Sequence, residues 1–147
     1  MDVLVNNAGY GHLGVFEDTS LKEIRSQYET NVFGTMALTQ AIIPYMRKQH
    51  SGRIINISSV SGYKGVFGAA TYASSKFTVE GFSQAIAEEL APFGVFVTAV
   101  SPGFFRTDFL DVTSVKYSKT ENSDYEKPLA EFREFHDNRN HTQAGDR

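Results

Sequence analysis

Three short apolar runs, separated by two long helix-forming stretches, constrain this 147-residue chain more than any other feature. The runs are Val3-Leu4-Val5, Ile54-Ile55-Asn56-Ile57 and Val95-Phe96-Val97-Thr98-Ala99-Val100. Between them lie Ser20 to Arg47 and Tyr72 to Ala91, each long enough to carry a strand back to the start of the next. Alternation of this kind implies parallel strands joined by helical crossovers, hence an α/β fold. Local chemistry supports the boundaries. Ser20-Leu21-Lys22-Glu23 reads as a capping box, with serine at the N-cap and glutamate at N3. Pro44 is expected to bend the first helix or end its regular part, and Ser51-Gly52 closes the segment. Pro92 and Gly94 halt the second helix, and Ser101-Pro102-Gly103 breaks the third strand. No internal repeat has a solenoid or propeller period.

Composition narrows the function classes. A hydrophobic content of 41% can supply one core, and a net charge of −3 offers no general attraction to nucleic acid or an anionic membrane. Zero cysteines exclude disulfides and thiolate metal sites and fit a reducing, cytoplasmic setting. No stretch approaches the ~18 consecutive apolar residues of a membrane span, and Met1-Asp2 lacks a basic leader. His12, His50, His136 and His141 show no paired helical spacing, so no metal site is expected.

The chemistry concentrates in Tyr72-Ala73-Ser74-Ser75-Lys76. A phenol and an amine four apart on a helix project from nearly the same face. A free tyrosine, with a pKa near ~10, is a poor proton donor or acceptor at neutral pH. An ammonium within roughly 4–6 Å favours the phenolate and turns it into a usable acid/base. Ser59, ending the apolar run in Asn56-Ile57-Ser58-Ser59, is placed to hydrogen-bond a carbonyl oxygen that the phenol protonates. Each residue also has a plainer use: an apolar stem with a solvated charge, a strand-ending serine, a turn asparagine.

Taken together the motifs resemble the short-chain dehydrogenase/reductase family. Asn6-Asn7-Ala8-Gly9 resembles its Asn-Asn-Ala-Gly turn, and Asn31 in Asn31-Val32-Phe33-Gly34 falls at its active-site asparagine. Ser59, Tyr72 and Lys76 match its serine and Tyr-x-x-x-Lys, and Pro102 to Thr107 matches its Pro-Gly-x-x-x-Thr segment. Five motifs in the family's order across residues 1 to about 110 make the resemblance specific. It implies part of a Rossmann-like, doubly wound parallel sheet and hydride transfer between NAD or NADP and a small-molecule alcohol or carbonyl. By the same resemblance Asn31, Ser59, Tyr72 and Lys76 are catalytic, with Asn31 holding a water in the proton relay. Asn7, Ala8, Gly9, Tyr72, Lys76, Pro102, Gly103 and Thr107 are expected along the cofactor, and Gly62 and Tyr63 to Ala70 in a substrate-side loop. The family's helix packing implies a homo-oligomer.

The family's Thr-Gly-x-x-x-Gly-x-Gly opening is not found in these residues. Gly9 and Gly11 follow Asn-Asn-Ala and do not open a G-x-G-x-x-G helix. The sequence therefore reads as the middle and catalytic portion of a longer enzyme. Its alternative is a truncated, catalytically incompetent fragment that acts at most as an oligomerisation or interaction module. A sugar-nucleotide epimerase or dehydratase shares the serine and Tyr-x-x-x-Lys, but Asn-Asn-Ala-Gly and Pro102-Gly103 favour the dehydrogenase branch.

Residues 1–110 are expected to form the catalytic portion and 111–147 a lid-like segment with a polar tail. Residues 111 to 127 are rich in Ser, Thr, Lys, Asp and Glu. A short helix is expected from Lys127 to His136, with Pro128 near N1 and Leu129, Phe132 and Phe135 on one side. These aromatics either line a substrate lid or pin the helix to the body.

Overall fold

The computed structural model describes every residue except Val112, Thr120, Glu121, His141, Ala144, Asp146 and Arg147. His141, one of the histidines weighed above for metal binding, and parts of the expected polar tail thus lie outside the described residues.

The three apolar runs form β1 (Val3–Asn6), β3 (Gly52–Ile57) and β4 (Val95–Val100). They pair in parallel in the order β1-β3-β4, with Val5 opposite Ile55 and Ile55 opposite Thr98. Each crossover moves the chain in the same direction across the sheet. Right-handed crossovers then place both connecting helices on one face. That face holds the core: Met46, Ile54 and Val95 are fully buried, with Leu4, Ile43 and Leu90 against them. Each such side chain contributes about 1.5–3 kcal/mol by leaving water. The opposite face carries Val3 and Val5, 49% and 53% exposed, and Phe96 and Val100, 55% and 40% exposed. Arg53 lies across Phe96, its guanidinium carbon 5.0 Å from the ring centroid. Parallel sheets normally bury both faces. This one presents one face and the outer edge of β1 to solvent.

The first helical stretch is three pieces: α1 (Leu21–Tyr28), a π-helical segment from Glu29 to Gly34, and α2 (Thr35–Gln49). The capping box forms as expected: the Ser20 N–H donates to Glu23 Oε2 at 2.8 Å, and the Glu23 N–H donates to Ser20 Oγ at 3.3 Å. Pro44 neither ends the helix nor shortens it. The carbonyl it leaves without a donor belongs to Gln40, which is exposed to water, so α2 runs on to Gln49. His50 then takes a left-handed conformation (φ 50°), and Gly52 follows where a Cβ would lie 2.5 Å from Met46 Sδ. The second long helix, α3 (Ala70–Leu90), begins two residues before Tyr72. A short 3-10 turn with Pro92 and a left-handed Gly94 ends it.

A second, two-stranded parallel sheet was not anticipated. It pairs β2 (Gly11–Leu13) with β5 (Val115–Tyr117), aligning His12 with Lys116. Three-residue strands with a glycine and a histidine carry little periodic signal, and their pairing spans about a hundred residues. The Thr19 hydroxyl donates to the Val15 carbonyl, so it must accept from Ser118 Oγ, and Ser118 accepts from His12 Nε2. That chain of hydroxyls sews the end of β5 to the body. Beyond it, α4 (Glu126–Asp137) begins one residue early, with Pro128 still in its first turn. Leu129 is buried and Phe132 packs beside Tyr72, Leu13 and Val115, whereas Phe135 stays 45% exposed. Arg139 covers that ring, its guanidinium carbon 4.1 Å from the centroid.

Candidate functional site

The carboxyl ends of β1, β3 and β4 converge on the first two turns of α3, and the sequence-chosen residues gather there. Tyr72 is 7% exposed and Lys76 is 6% exposed. Ser59 is the polar side chain beside the Tyr72 phenol that favours its ionised form. Ser59 in turn accepts a hydrogen bond from the Ser61 N–H at 3.1 Å, which fixes its rotamer at the head of a short 3-10 turn. The Phe109 ring closes over Tyr72, with centroids 5.7 Å apart.

Burial is the larger influence on Tyr72 and raises its pKa; Ser59 opposes that. Lys76 donates to the Ile57 carbonyl at 2.8 Å, and its Nζ stands 5.8 Å from the Tyr72 ring centroid. The sequence-based expectation that the ammonium lowers the phenol's pKa is thus not met in this arrangement. The lysine is spent on a strand-end carbonyl instead. Its own pKa falls to about 8 because burial disfavours the ammonium, and the Glu80 carboxylate offsets part of that loss.

Asn31 sits in the π-helical segment, a widened turn of the kind found at functional sites. Its Oδ1 accepts from the Tyr10 N–H at 3.1 Å, and its Nδ2 donates to the Tyr10 carbonyl at 3.0 Å and to Ser75 Oγ at 3.2 Å. Gln27 adds a second amide, accepting from the His12 N–H and donating to the Tyr10 carbonyl, both at 2.7 Å. Two side-chain amides therefore hold the exposed Asn7-Ala8-Gly9 turn in place. A Cβ on Gly9 would lie 3.3 Å from Asn31 Oδ1 and 3.7 Å from Lys76 Nζ, so glycine keeps the turn open toward the lysine.

On the other side, the Val60 N–H donates to the Pro102 carbonyl at 3.1 Å, which sets the Pro102-Gly103 segment beside Ser59. Gly103 faces open space. Thr107 is apart from this group: it is exposed, and its hydroxyl caps a short turn by accepting from the Phe109 N–H at 3.3 Å. It reaches the site only by positioning Phe109.

The profile described as short chain dehydrogenase matches residues 1–117. The chain belongs to the short-chain dehydrogenase family. It is 45% identical over 125 residues to 3-ketodihydrosphingosine reductase of Bacteroides thetaiotaomicron, covering 85% of this chain and 46% of that protein. A short-chain dehydrogenase from Streptomyces avermitilis superposes with a TM-score of 0.83 at 40% identity, over 91% of this chain and 50% of that one. NAD+-bound xylitol dehydrogenase superposes at 0.71 with 33% identity, over 75% and 43% of the two chains. The chain thus spans about half the length of these short-chain dehydrogenases. Among the described residues, no helix is long and apolar enough to cross a membrane.

Sequence reasoning passed over Glu80, 4% exposed and one turn beyond Lys76. The signal was available: Tyr72, Lys76 and Glu80 recur every four residues along one face, an acid where the stripe calls for an apolar residue.

The buried lysine carries a stability prediction. Unfolded lysine titrates near ~10.4, so between pH 8 and that value the unfolded state binds more protons and stability rises with pH. Below pH 8 the full penalty for burying the ammonium is present. Urea unfolding should show the wild-type chain gaining about 3 kcal/mol over Lys76→Met between pH 7 and pH 10.5, at 1.36 kcal/mol per pH unit. A difference that does not vary with pH would contradict the assigned burial.

Proposed function

We propose that these residues form the catalytic portion of an oxidoreductase that moves a hydride between NAD(H) or NADP(H) and a small-molecule alcohol or carbonyl. The observation that carries the reading is one convergence. A buried phenol beside Ser59, a buried ammonium, and an open glycine turn meet where three parallel strands end. The residues fit the nicotinamide end of such a cofactor: Gly9 leaves room beside Lys76 and Asn31, and Gly103 faces open space across from them.

The cofactor, when bound, supplies or accepts the hydride. Tyr72 exchanges the proton with the substrate oxygen, which Ser59 orients by a hydrogen bond. Lys76 holds the ribose of the nicotinamide and stabilises the phenolate as the proton leaves. Because the Asn31 amide is committed to Tyr10 and Ser75, a relay water held by Asn31 would rest on its backbone carbonyl, which the Thr35 hydroxyl also reaches at 3.2 Å. Asn7, Ala8 and Gly9 lie along the cofactor, Pro102 and Gly103 at its nicotinamide end, with Thr107 acting through Phe109.

Residues 1–110 supply this machinery, and 111–147 serve as a substrate lid pinned by β5 and by Phe132. Exposed Val66, Phe67, Phe104 and Phe105 border the entrance segments and favour an apolar substrate. The Bacteroides relative is named 3-ketodihydrosphingosine reductase. A cysteine-free chain of this class suits the cytosol. The test is to join residues 1–147 to the glycine-loop half of the Streptomyces relative and follow nicotinamide absorbance with a panel of ketones and alcohols. Cofactor-dependent turnover on at least one apolar ketone is expected; none on any substrate would overturn the reading.

The uncovered sheet face favours association. An apolar β1 edge with unpaired backbone groups, beside exposed Val3, Val5, Phe96 and Val100, recruits further chains. The 147-residue chain on its own is expected to be a dimer or larger. Light scattering from a stable monomer at tens of micromolar would refute that.

A further inference from the structure

Glu80 is a buried carboxylate that the chemistry above does not use. It accepts hydrogen bonds from Tyr63 Oη at 2.9 Å and from Ser101 Oγ, while the Ser58 hydroxyl beside it donates to the Lys76 carbonyl at 3.4 Å. Gly62 packs directly on it: a Cβ there would stand 2.9 Å from Glu80 Cγ and 2.8 Å from Ser58 Oγ. A buried carboxylate is costly unless paired, and an apolar side chain would fill the same volume without that cost. Its two hydroxyl partners come from different segments, and Ser58 packs beside it under Gly62. Ser58 precedes Ser59, Tyr63 opens the substrate-side loop, and Ser101 precedes Pro102. One carboxylate therefore ties to α3 the segments that border the reacting atoms.

We propose that Glu80 is a positioning residue for the reaction: it clamps the Tyr63 and Ser101–Pro102 segments to α3 beside Ser58 and supplies the opposite charge one helical turn from Lys76. The inference rests on the reading of Lys76 given above. The groups facing Lys76 are Tyr72 one turn before it, Glu80 one turn after it, the Ile57 carbonyl from β3, and Asn31 across Gly9. His12 of β2 belongs to the Ser118 and Glu23 network, and Tyr63 meets Glu80. Glu80 is the opposite charge whose field keeps the buried lysine protonated, and its own pKa is lowered because the surrounding hydroxyls and Lys76 outweigh burial.

The test compares Glu80→Gln and Glu80→Asp with the wild-type chain. Competitive acetylation, read peptide by peptide by mass spectrometry, follows the protonation of Lys76 without needing turnover. Loss of the opposite charge one helical turn away is expected to lower its midpoint by about one pH unit in Glu80→Gln, with Glu80→Asp between that and wild type. In the active full-length context, the alkaline limb of the kcat profile should move down with it, giving about fivefold lower kcat at pH 8, and Glu80→Asp should restore part of it. An unchanged Lys76 midpoint overturns the proposal. If Glu80→Gln does not fold, Glu80→Asp decides, because an unshifted midpoint there is equally fatal. A lowered midpoint in a protein without cofactor-dependent turnover would instead sink the oxidoreductase reading and leave the charge coupling standing.

Discussion

Replacing Tyr72 by phenylalanine should lower turnover by about 10²–10⁴-fold while leaving cofactor binding nearly unchanged. The ring is held by packing, buried at 7% exposure between Leu13, Ala69 and Val115 and faced by Phe109. Phenylalanine keeps those contacts. What it loses is the hydroxyl beside Ser59 and with it the proton. Lys76→Ala should differ in kind, weakening both turnover and cofactor binding, because the ammonium is assigned to the phenolate and to the ribose. Steady-state kinetics and cofactor titration on the two variants in the full-length context separate these effects. Near-normal turnover by Tyr72→Phe would remove tyrosine from the acid/base role.

The isolated 147-residue chain should bind NAD(H) or NADP(H) several orders of magnitude more weakly than a relative that carries the glycine-rich loop. Backbone N–H groups at such a loop and the helix behind it receive the pyrophosphate, and anions are favoured there by the helix dipole. Each charge-assisted hydrogen bond not made forfeits about 1.5–3 kcal/mol. Two or three of them suffice for the expected loss, at 1.4 kcal/mol per tenfold. In the function proposed above, residues 1–147 hold the nicotinamide end through the Asn7-Ala8-Gly9 turn, Lys76 and the Pro102-Gly103 segment. Titration calorimetry returning a micromolar Kd would overturn that account.

Much of the site was legible in the sequence because its spacing is helical and its order along the chain is specific. Tyr72 and Lys76 had to share a face of α3, and Ser59 had to end β3. The partners of Asn31 were not legible. A mid-helix asparagine normally points to solvent or bonds locally. Here the π-helical turn carries it inward to Tyr10 and Ser75, a contact across 21 and 44 residues of chain. Of the two outcomes expected at Pro44, a bend or an end, the helix does not end: α2 runs on to Gln49, and the carbonyl left without a donor belongs to exposed Gln40.

Local pattern thus determined the strands, the capped start of α1, the Gly94 stop and the face on which the phenol and amine meet. Those depend on neighbours within a few residues, where dihedral preference and periodicity act directly. Only the tertiary structure decided that both helices cover one face of the sheet, that β2 and β5 pair, and that Lys76 is buried against the Ile57 carbonyl while Glu80 holds Tyr63 and Ser101. Those outcomes depend on handed crossovers and on hydrogen-bonding groups brought to a buried charge from distant segments, and such a charge declares its partners only after the chain has folded around it.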